Sequence, residues 1–367
     1  MRINIITTKG DGTCGIGTYT KYLSEEQKKF NYIIHFYWIK LNDKNPLHYF
    51  KIFYNIIEKC DIIHIQFDYS LFGKFLGLTG IWAFFFFPLV KITAKLKKIK
   101  IIITMHEIWD YKNSPKYGYI GSIYVFLLNF LISVCVDKII FLSENGYNIG
   151  LNQKIPITKM VQIPHGLKDS DKFDKKISRK QLKLDPEKKI ILQFGFISRS
   201  KGQDLLVKAT QYLPKDWIFL IAGSCKNQED MEYLENDCKK YSPENLIFLN
   251  FISEEDIPIL FSSIDLVILP YREIIQSGVL NLAFSYKIPV IASDLPYFEE
   301  INNEYHCLVL FKKDNEISLA KAIYETLSNE NLYSSIVNNI QKYYEQNSYN
   351  LTALRINKIY QELLEMT

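Results

Sequence analysis

Short apolar runs recur along this chain at intervals that leave room for one helix between neighbours. In the first half they are INIITT (Ile3–Thr8), IIHFYWI (Ile33–Ile39), DIIHIQF (Asp61–Phe67), IKIIITMH (Ile99–His106) and KIIFLSE (Lys138–Glu144). In the second they are the run from Ile190, then WIFLIAGS (Trp217–Ser224), NLIFLNFIS (Asn245–Ser253), IDLVILP (Ile264–Pro270), IPVIAS (Ile288–Ser293) and HCLVLF (His306–Phe311). Runs of strand length that are apolar throughout fit parallel strands buried on both faces, and their alternation with helical stretches predicts doubly wound α/β sheets with ligand sites at the carboxyl ends of the strands. The polar stretch IPHGLKDSDKFDKK (Ile163–Lys176) breaks the pattern and reads as a boundary. The expected organisation is therefore two Rossmann-like domains, 1–172 and 173–346, as the length of 367 residues also requires. A tail, 347–367, forms an amphipathic helix through Leu351, Leu354, Ile356, Ile359, Tyr360, Leu363 and Leu364.

Candidate chemistry gathers where apolar runs end. Between Pro270 and Asp294 the chain reads PYREIIQSGVLNLAFSYKIPVIASD: strand end, loop, helix, strand. Ser277 stands at an N-cap position with Gly278 beside it. The first-turn amides of Gly278, Val279 and Leu280 then have no partner in the helix, which with the helix dipole makes a site for an anion such as a diphosphate. Glu273 and Asn281, a carboxylate and an amide on the loop side, are placed to hold sugar or ribose hydroxyls, and Gln276 lies between them. Taken alone, Ser277 and Gly278 are more simply explained by a cap that only tightens a turn. The stretch IILQFGFISRSKGQDLLVKATQYL (Ile190–Leu213) repeats strand, Gly195, loop and helix, and its Arg199 and Lys201 are cations suited to a diphosphate leaving group. Near the start, KGDGTCGIGTYTKYL (Lys9–Leu23) is a glycine-rich loop that fits neither the dinucleotide-binding GxGxxG pattern nor a Walker lysine-serine pair. His106 ends an apolar strand, as does His64, which ranks second.

Five ordered stretches, GIGTYT, MHE, IPHG, GFISRSKG and PYREIIQSGV to PVIASD, resemble glycosyltransferase family 4. Members of that family usually carry two glutamates separated by seven residues before a PVI(A/V)S strand, and one branch reads PYR, QSGV and PVIASD as here. The resemblance covers essentially the whole chain. It implies a GT-B fold, two Rossmann-like domains facing a central cleft with the last helix crossing back to the first, and retaining transfer of a sugar from a nucleoside-diphosphate donor without metal or other cofactor. By resemblance the glycines of GIGTYTKYL, Gly15 and Gly17, approach donor phosphate and acceptor, His106 and Glu273 touch the transferred sugar, Arg199 and Lys201 stabilise the diphosphate, and the backbone at Phe251 and Ile252 faces the base. Two departures stand out: Asn281 occupies the place of the second glutamate, and Arg199 lies one position later than the family's arginine. The first leaves room for a different outcome, a glycosyltransferase-like subunit without activity.

Charge changes the picture of the partner. The net charge of +4 hides 21 Lys and Arg against 12 Asp and Glu in residues 1–170, and 23 against 28 in the rest. A basic first half suggests an acidic partner surface, and no nucleic-acid motif accompanies it. Phe75–Val90, aromatic and uncharged, is followed by Lys91, Lys95, Lys97, Lys98 and Lys100, a pattern suited to a membrane interface with a lipid-linked or glycan acceptor and equally to an internal helix packed on the sheet. Tyr117–Val136 is uncharged for 20 residues but leads straight into a strand, and reads as a buried crossover helix. Six scattered cysteines without a CxxC pair, and no leader-like start, suggest a reduced, cytoplasmic protein at most peripheral on the inner face of the cell membrane.

Overall fold

The computed structural model describes residues 1–10, 14–40, 45–75, 78–110, 118–170, 172–225, 228–241, 243–274 and 276–365, the side chains of 118 and 119 apart. Parts of the sequence motifs, 11–13 in the glycine loop and 275 in the PYREIIQSGV loop, lie outside them. The chain divides into two compact units, Met1–Gly166 with Tyr349–Thr367, and Leu167–Ser348.

Unit 1 runs β1 (Arg2–Thr7), α1 (Gly15–Gln27), β2 (Ile33–Trp38), α2 (Pro46–Ile56), β3 (Ile62–Phe67), a short antiparallel hairpin of β4 (Lys74–Phe75) and β5 (Leu78–Thr79), α3 (Ala83–Lys97), β6 (Lys100–Met105), α4 (Gly118–Cys135), β7 (Lys138–Phe141), α5 (Glu144–Asn152) and β8 (Met160–Gln162). Six parallel strands lie in the order β2-β1-β3-β6-β7-β8. Unit 2 continues with α6 (Lys175–Gln181), β9 (Ile190–Phe194), α7 (Gln203–Ala209), β10 (Ile218–Ala222), α8 (Gln228–Tyr241), β11 (Leu246–Leu249), α9 (Ile257–Ser263), β12 (Leu266–Leu269), α10 (Gly278–Ser285), β13 (Val290–Ser293), α11 (Pro296–Tyr305), β14 (Leu308–Phe311), α12 (Glu316–Ser328) and α13 (Glu330–Gln346). Its sheet is parallel with order β11-β10-β9-β12-β13-β14. The last helix, α14 (Tyr349–Glu365), belongs to unit 1.

The apolar runs are strands because both of their faces are covered. In β3 and β6, Ile63, Ile65, Ile101 and Ile103 point into one core with α2, α3 and α4, while Ile62 and Ile102 point into another with Tyr19 of α1 and Tyr360 of α14. The second core also receives the polar residues of the same strand face, His64, Gln66 and Thr104, all fully buried.

Each of the two hydrophobic stretches is buried in part and exposed in part. Within the segment 117–136, α4 (Gly118–Cys135) is a crossover helix from β6 to β7, but it is buried on one side only: Leu128 and Ile132 pack inward while Ile120, Leu127 and Phe130 are exposed. A helix in the outer layer of such a sheet is covered on one side only. The segment 75–90 is not one element, since α3 begins only at Ala83 and runs past Pro88 to Lys97, after the β4–β5 hairpin. Among the described residues no helix is long and apolar enough to cross a membrane, and the six cysteines are free thiols.

Candidate functional site

In unit 2 the first and fourth strands of the sheet, β9 and β12, are neighbours. Their onward connections leave in opposite directions, so the loops after them, 195–202 and 270–277, flank the crevice where doubly wound sheets bind ligands. Backbone contact brings the loops together. Gly202 has φ +67°, and a Cβ there would stand 2.0 Å from the Pro270 carbonyl oxygen, so only glycine fits. The Arg272 amide donates to the Ser200 carbonyl at 2.8 Å, and its guanidinium donates to both Asp204 oxygens at 2.9 and 2.8 Å and to Asp314 at 2.6 Å. Burial pushes the Asp204 carboxyl up, but bonds from Arg272, Tyr233 and Lys208 outweigh it and hold it below the usual carboxylate range. Arg272 and Asp204 are thus a charge-assisted clamp across the two loops.

The clamp sets Lys201. Its ammonium lies 3.7 Å from the centre of the Tyr271 ring, and the Lys201 carbonyl accepts from Gln193 at 2.8 Å. Burial pushes the ammonium down to about 8, while the nearby Glu273 pulls the other way. A half-desolvated cation beside a single exposed carboxylate is a group that gains from a second negative charge.

Opposite, Ser277 caps α10, its Oγ accepting from the Leu280 amide at 3.2 Å. This corrects the sequence reading of three open amides: the cap uses the one on Leu280, leaving those of Gly278 and Val279. Gly278 is exposed, with no atom within 4 Å of where a Cβ would be. Gly195 lies against the same turn, a Cβ on it falling 3.6 Å from the Val279 side chain. Two acceptors nearby, Gln276 Oε1 and Asn281 Oδ1, are buried without a partner among the described residues. Each leaves a desolvation cost that a ligand donor would relieve.

Unit 2 therefore brings together Gly195, Lys201, Glu273, Gln276, Ser277, Gly278, Val279 and Asn281. Arg199 stands apart from them: its guanidinium lies 4.6 Å from the centre of the Tyr233 ring on α8, and its amide donates to Asp230 at 3.2 Å. Phe251 and Ile252 follow β11, the edge strand, Phe251 exposed and Ile252 half-buried. The sequence reading passed over Arg272, Tyr271 and Asp204, although PYR and KGQD lie inside the motifs it quoted.

In unit 1, Gly15 has open space around it, whereas a Cβ on Gly17 would stand 1.9 Å from the Lys9 carbonyl oxygen, where the glycine loop crosses α1. His106, at the end of β6, is buried. Its Nε2 is 2.9 Å from Gln66 Oε1, so that nitrogen carries the proton. Burial, with His165 and His64 adding to it, pushes its pKa down to about 3, and the ring is neutral. The chain of bonds continues from Gln66 to His64, from His64 to Thr104 at 2.8 Å and to the Tyr360 hydroxyl at 2.6 Å, and from Gln27 to Tyr360 at 3.2 Å. Tyr19 packs its ring edge-on to His106, centroids 5.0 Å apart, and its buried hydroxyl has no partner. Among the described residues no three His, Cys, Asp or Glu side chains are grouped to hold a metal.

Residues 174–343 match the family model described as glycosyl transferases group 1. The chain is 21% identical over 285 residues to the processive diacylglycerol alpha-glucosyltransferase of Acholeplasma laidlawii, 75% of this chain and 83% of that protein. It is 26% identical over 208 residues to the O-antigen biosynthesis glycosyltransferase WclY of Escherichia coli, 56% of each. Among solved structures, Anabaena HepE in complex with UDP and glucose superposes with a TM-score of 0.77 at 15% identity, over 99% of this chain and 100% of that one. At that identity the likeness establishes the fold, which is GT-B.

Proposed function

We propose, from the premise that this GT-B chain belongs with the group 1 glycosyltransferases through residues 174–343, that it moves a sugar from a nucleoside-diphosphate donor to a lipid-linked or glycan acceptor with retention of anomeric configuration. One observation carries the reading: Lys201, half-buried and near Glu273, shares the β9–β12 crevice with the first turn of α10. In this reading Lys201 and the Gly278 and Val279 amides hold the diphosphate, so charge developing on the leaving oxygen meets donors already in place and no metal is called on. The bond from the anomeric carbon to the phosphate oxygen breaks, the acceptor oxygen bonds to that carbon, and its proton passes to the diphosphate. Glu273 contacts the sugar; Gln276 and Asn281 accept from donor hydroxyls. His106, with Nε2–H committed to Gln66, offers only the lone pair of Nδ1, an acceptor for a sugar hydroxyl. The bound nucleotide in HepE supports a uridine nucleotide as the first donor to try.

The acceptor side belongs to unit 1, whose excess of lysine suits the anionic inner face of a cell membrane. The relatives named for diacylglycerol and O-antigen chemistry support a membrane-borne acceptor. Donor hydrolysis by the purified chain is the test. Turnover that falls about 100-fold in Lys201→Ala supports the reading. No hydrolysis of any nucleotide sugar by the wild-type chain would favour instead an inactive partner subunit, for which Asn281 in place of a glutamate speaks.

A further inference from the structure

Helices α2, α3 and α4 send their inward residues into the same core, so they lie side by side on one face of the unit 1 sheet and turn their outer sides the same way. Those outer sides are apolar. On α4, Ile120, Ile123, Leu127, Phe130 and Val134 are exposed at spacings of three and four, which is one stripe of a helix, and Ile120 is 80% exposed. On α3, Phe85, Ile92 and Leu96 are exposed, Leu96 by 81%. Between α2 and α3 the surface opens into a groove of about 150 Å³, walled by Tyr49, Phe50, Phe53, Trp82, Phe85 and Phe86. The Trp82 Nε1–H is buried without a partner among the described residues.

The charged side chains on these three helices have one sign, with exposed Glu58 just after α2 and Asp137 just after α4 the nearest acids in sequence. The sequences of α2, α3 and α4 contain no acidic residue, and exposed Lys51, Lys95, Lys97 and Lys98 lie on or beside them. Lys91 is paired with Asp137 at 2.9 Å. A second copy docking through the same face would bring these lysines together, whereas an anionic bilayer answers both the apolar surface and its cationic border.

We propose that the outer face of α2, α3 and α4 rests on an anionic bilayer and that the α2–α3 groove takes one acyl chain of a lipid, whose ester carbonyl accepts from Trp82 Nε1. The proposal rests on the membrane-borne acceptor described above and gives it a site. A lipid held by its chain presents its headgroup at the surface, which is where a lipid-linked acceptor has to stand.

The test uses the full chain with vesicles of phosphatidylcholine alone or mixed with phosphatidylglycerol, the latter brominated midway along its acyl chains. Flotation reports binding, and tryptophan quenching reports contact with the chain interior. Expected are flotation with anionic vesicles only, quenching of the wild-type chain, loss of most of that quenching in Trp82→Phe, and a drop of about tenfold or more in partitioning for Phe85→Glu, whose charge must enter the bilayer. Flotation with no Trp82 quenching means docking on headgroups alone and overturns the groove. A dimer in solution that Phe85→Glu dissociates means a second copy covers the face and also overturns it. No flotation with either vesicle overturns both the groove and the membrane-borne acceptor, while wild-type donor hydrolysis, measured alongside, reports on the transferase reading independently.

Discussion

Both units are six-stranded parallel sheets, yet they hold their buried polar groups in opposite ways. Unit 1 keeps them neutral: His64 and His106 are pushed down to about 3 and His165 to about 4 by burial, and hydrogen bonds join the first two to Gln66, Thr104 and Tyr360. Unit 2 keeps them charged: buried Arg179 donates to Asp265 at 2.8 Å and to the carbonyls of Ser263 and Pro186, and Arg272 clamps Asp204. The difference is the one the proposed function calls for. A crevice that must bind an anion needs a fixed cation, and fixing a cation in a desolvated place takes further charges around it. A neutral network can orient a sugar hydroxyl without charge, but it ties the unit to conditions in which its histidines stay unprotonated.

Acid separates the units most strongly. The three histidines are neutral in the fold and take up protons on unfolding below their ordinary value of 6.5, so their contribution is complete above that value and is lost as pH falls toward 4. With three protons the slope approaches about 4 kcal/mol per pH unit. The only histidine of unit 2, His306, is exposed. Calorimetric scans from pH 7 to pH 4.5 are expected to show the unit 1 transition falling first; a single transition shifting as a whole would erase the contrast.

Removing the charge inside unit 2 sharpens it from the other side. Arg179→Met leaves Asp265 with Lys175 as its remaining cation and takes the guanidinium donor from the carbonyls of Ser263 and Pro186, and is expected to cost about 3 kcal/mol. In the same scans the unit 2 transition should drop while that of unit 1 stays within a degree or two. Next in size is Gly202→Ala, which forces a Cβ against Pro270 at a positive φ. It should cost about 1–3 kcal/mol and weaken nucleotide binding with it, because the two loops can no longer meet. Full affinity in a stably folded Gly202→Ala would show that the loop contact does not shape the site. Smallest is the pair proposed to face the donor: Glu273→Gln should lower turnover with little change in nucleotide affinity, and Asn281→Ala should weaken affinity by about 1 kcal/mol with turnover nearly kept. Steady-state rates with calorimetry on both variants distinguish this from the reverse assignment.

Much of the fold was legible because parallel strands buried on both faces leave unbroken apolar runs, as in DIIHIQF and IDLVILP. The three-residue β8 and the two-residue strands of the hairpin leave no such run. The outer stripe of α4 was hidden for another reason: a helix that is apolar all round gives no polar side from which to infer what faces solvent. At the site, Lys201, Ser277 and Gly278 were legible as a loop cation and a helix start. The Arg272–Asp204 clamp was not, since it joins residues 68 apart through two loops whose meeting depends on strand order. The Leu280 amide was counted as open even though Ser277, read as the cap, has an oxygen that needs such an amide.

The central claim is that Lys201 is the cation of a diphosphate site in unit 2. Titration calorimetry with UDP from pH 6.5 to 9.5, on the wild-type chain and on Lys201→Met, tests it directly. The ammonium is charged below about 8 and is lost above it, although a bound diphosphate raises that value by favouring the charged form. The expected result is wild-type affinity that is flat at neutral pH and falls above about pH 8, with affinity for Lys201→Met at least tenfold weaker at neutral pH and nearly independent of pH. Equal affinities of the two chains, or the same alkaline fall in both, would contradict the claim.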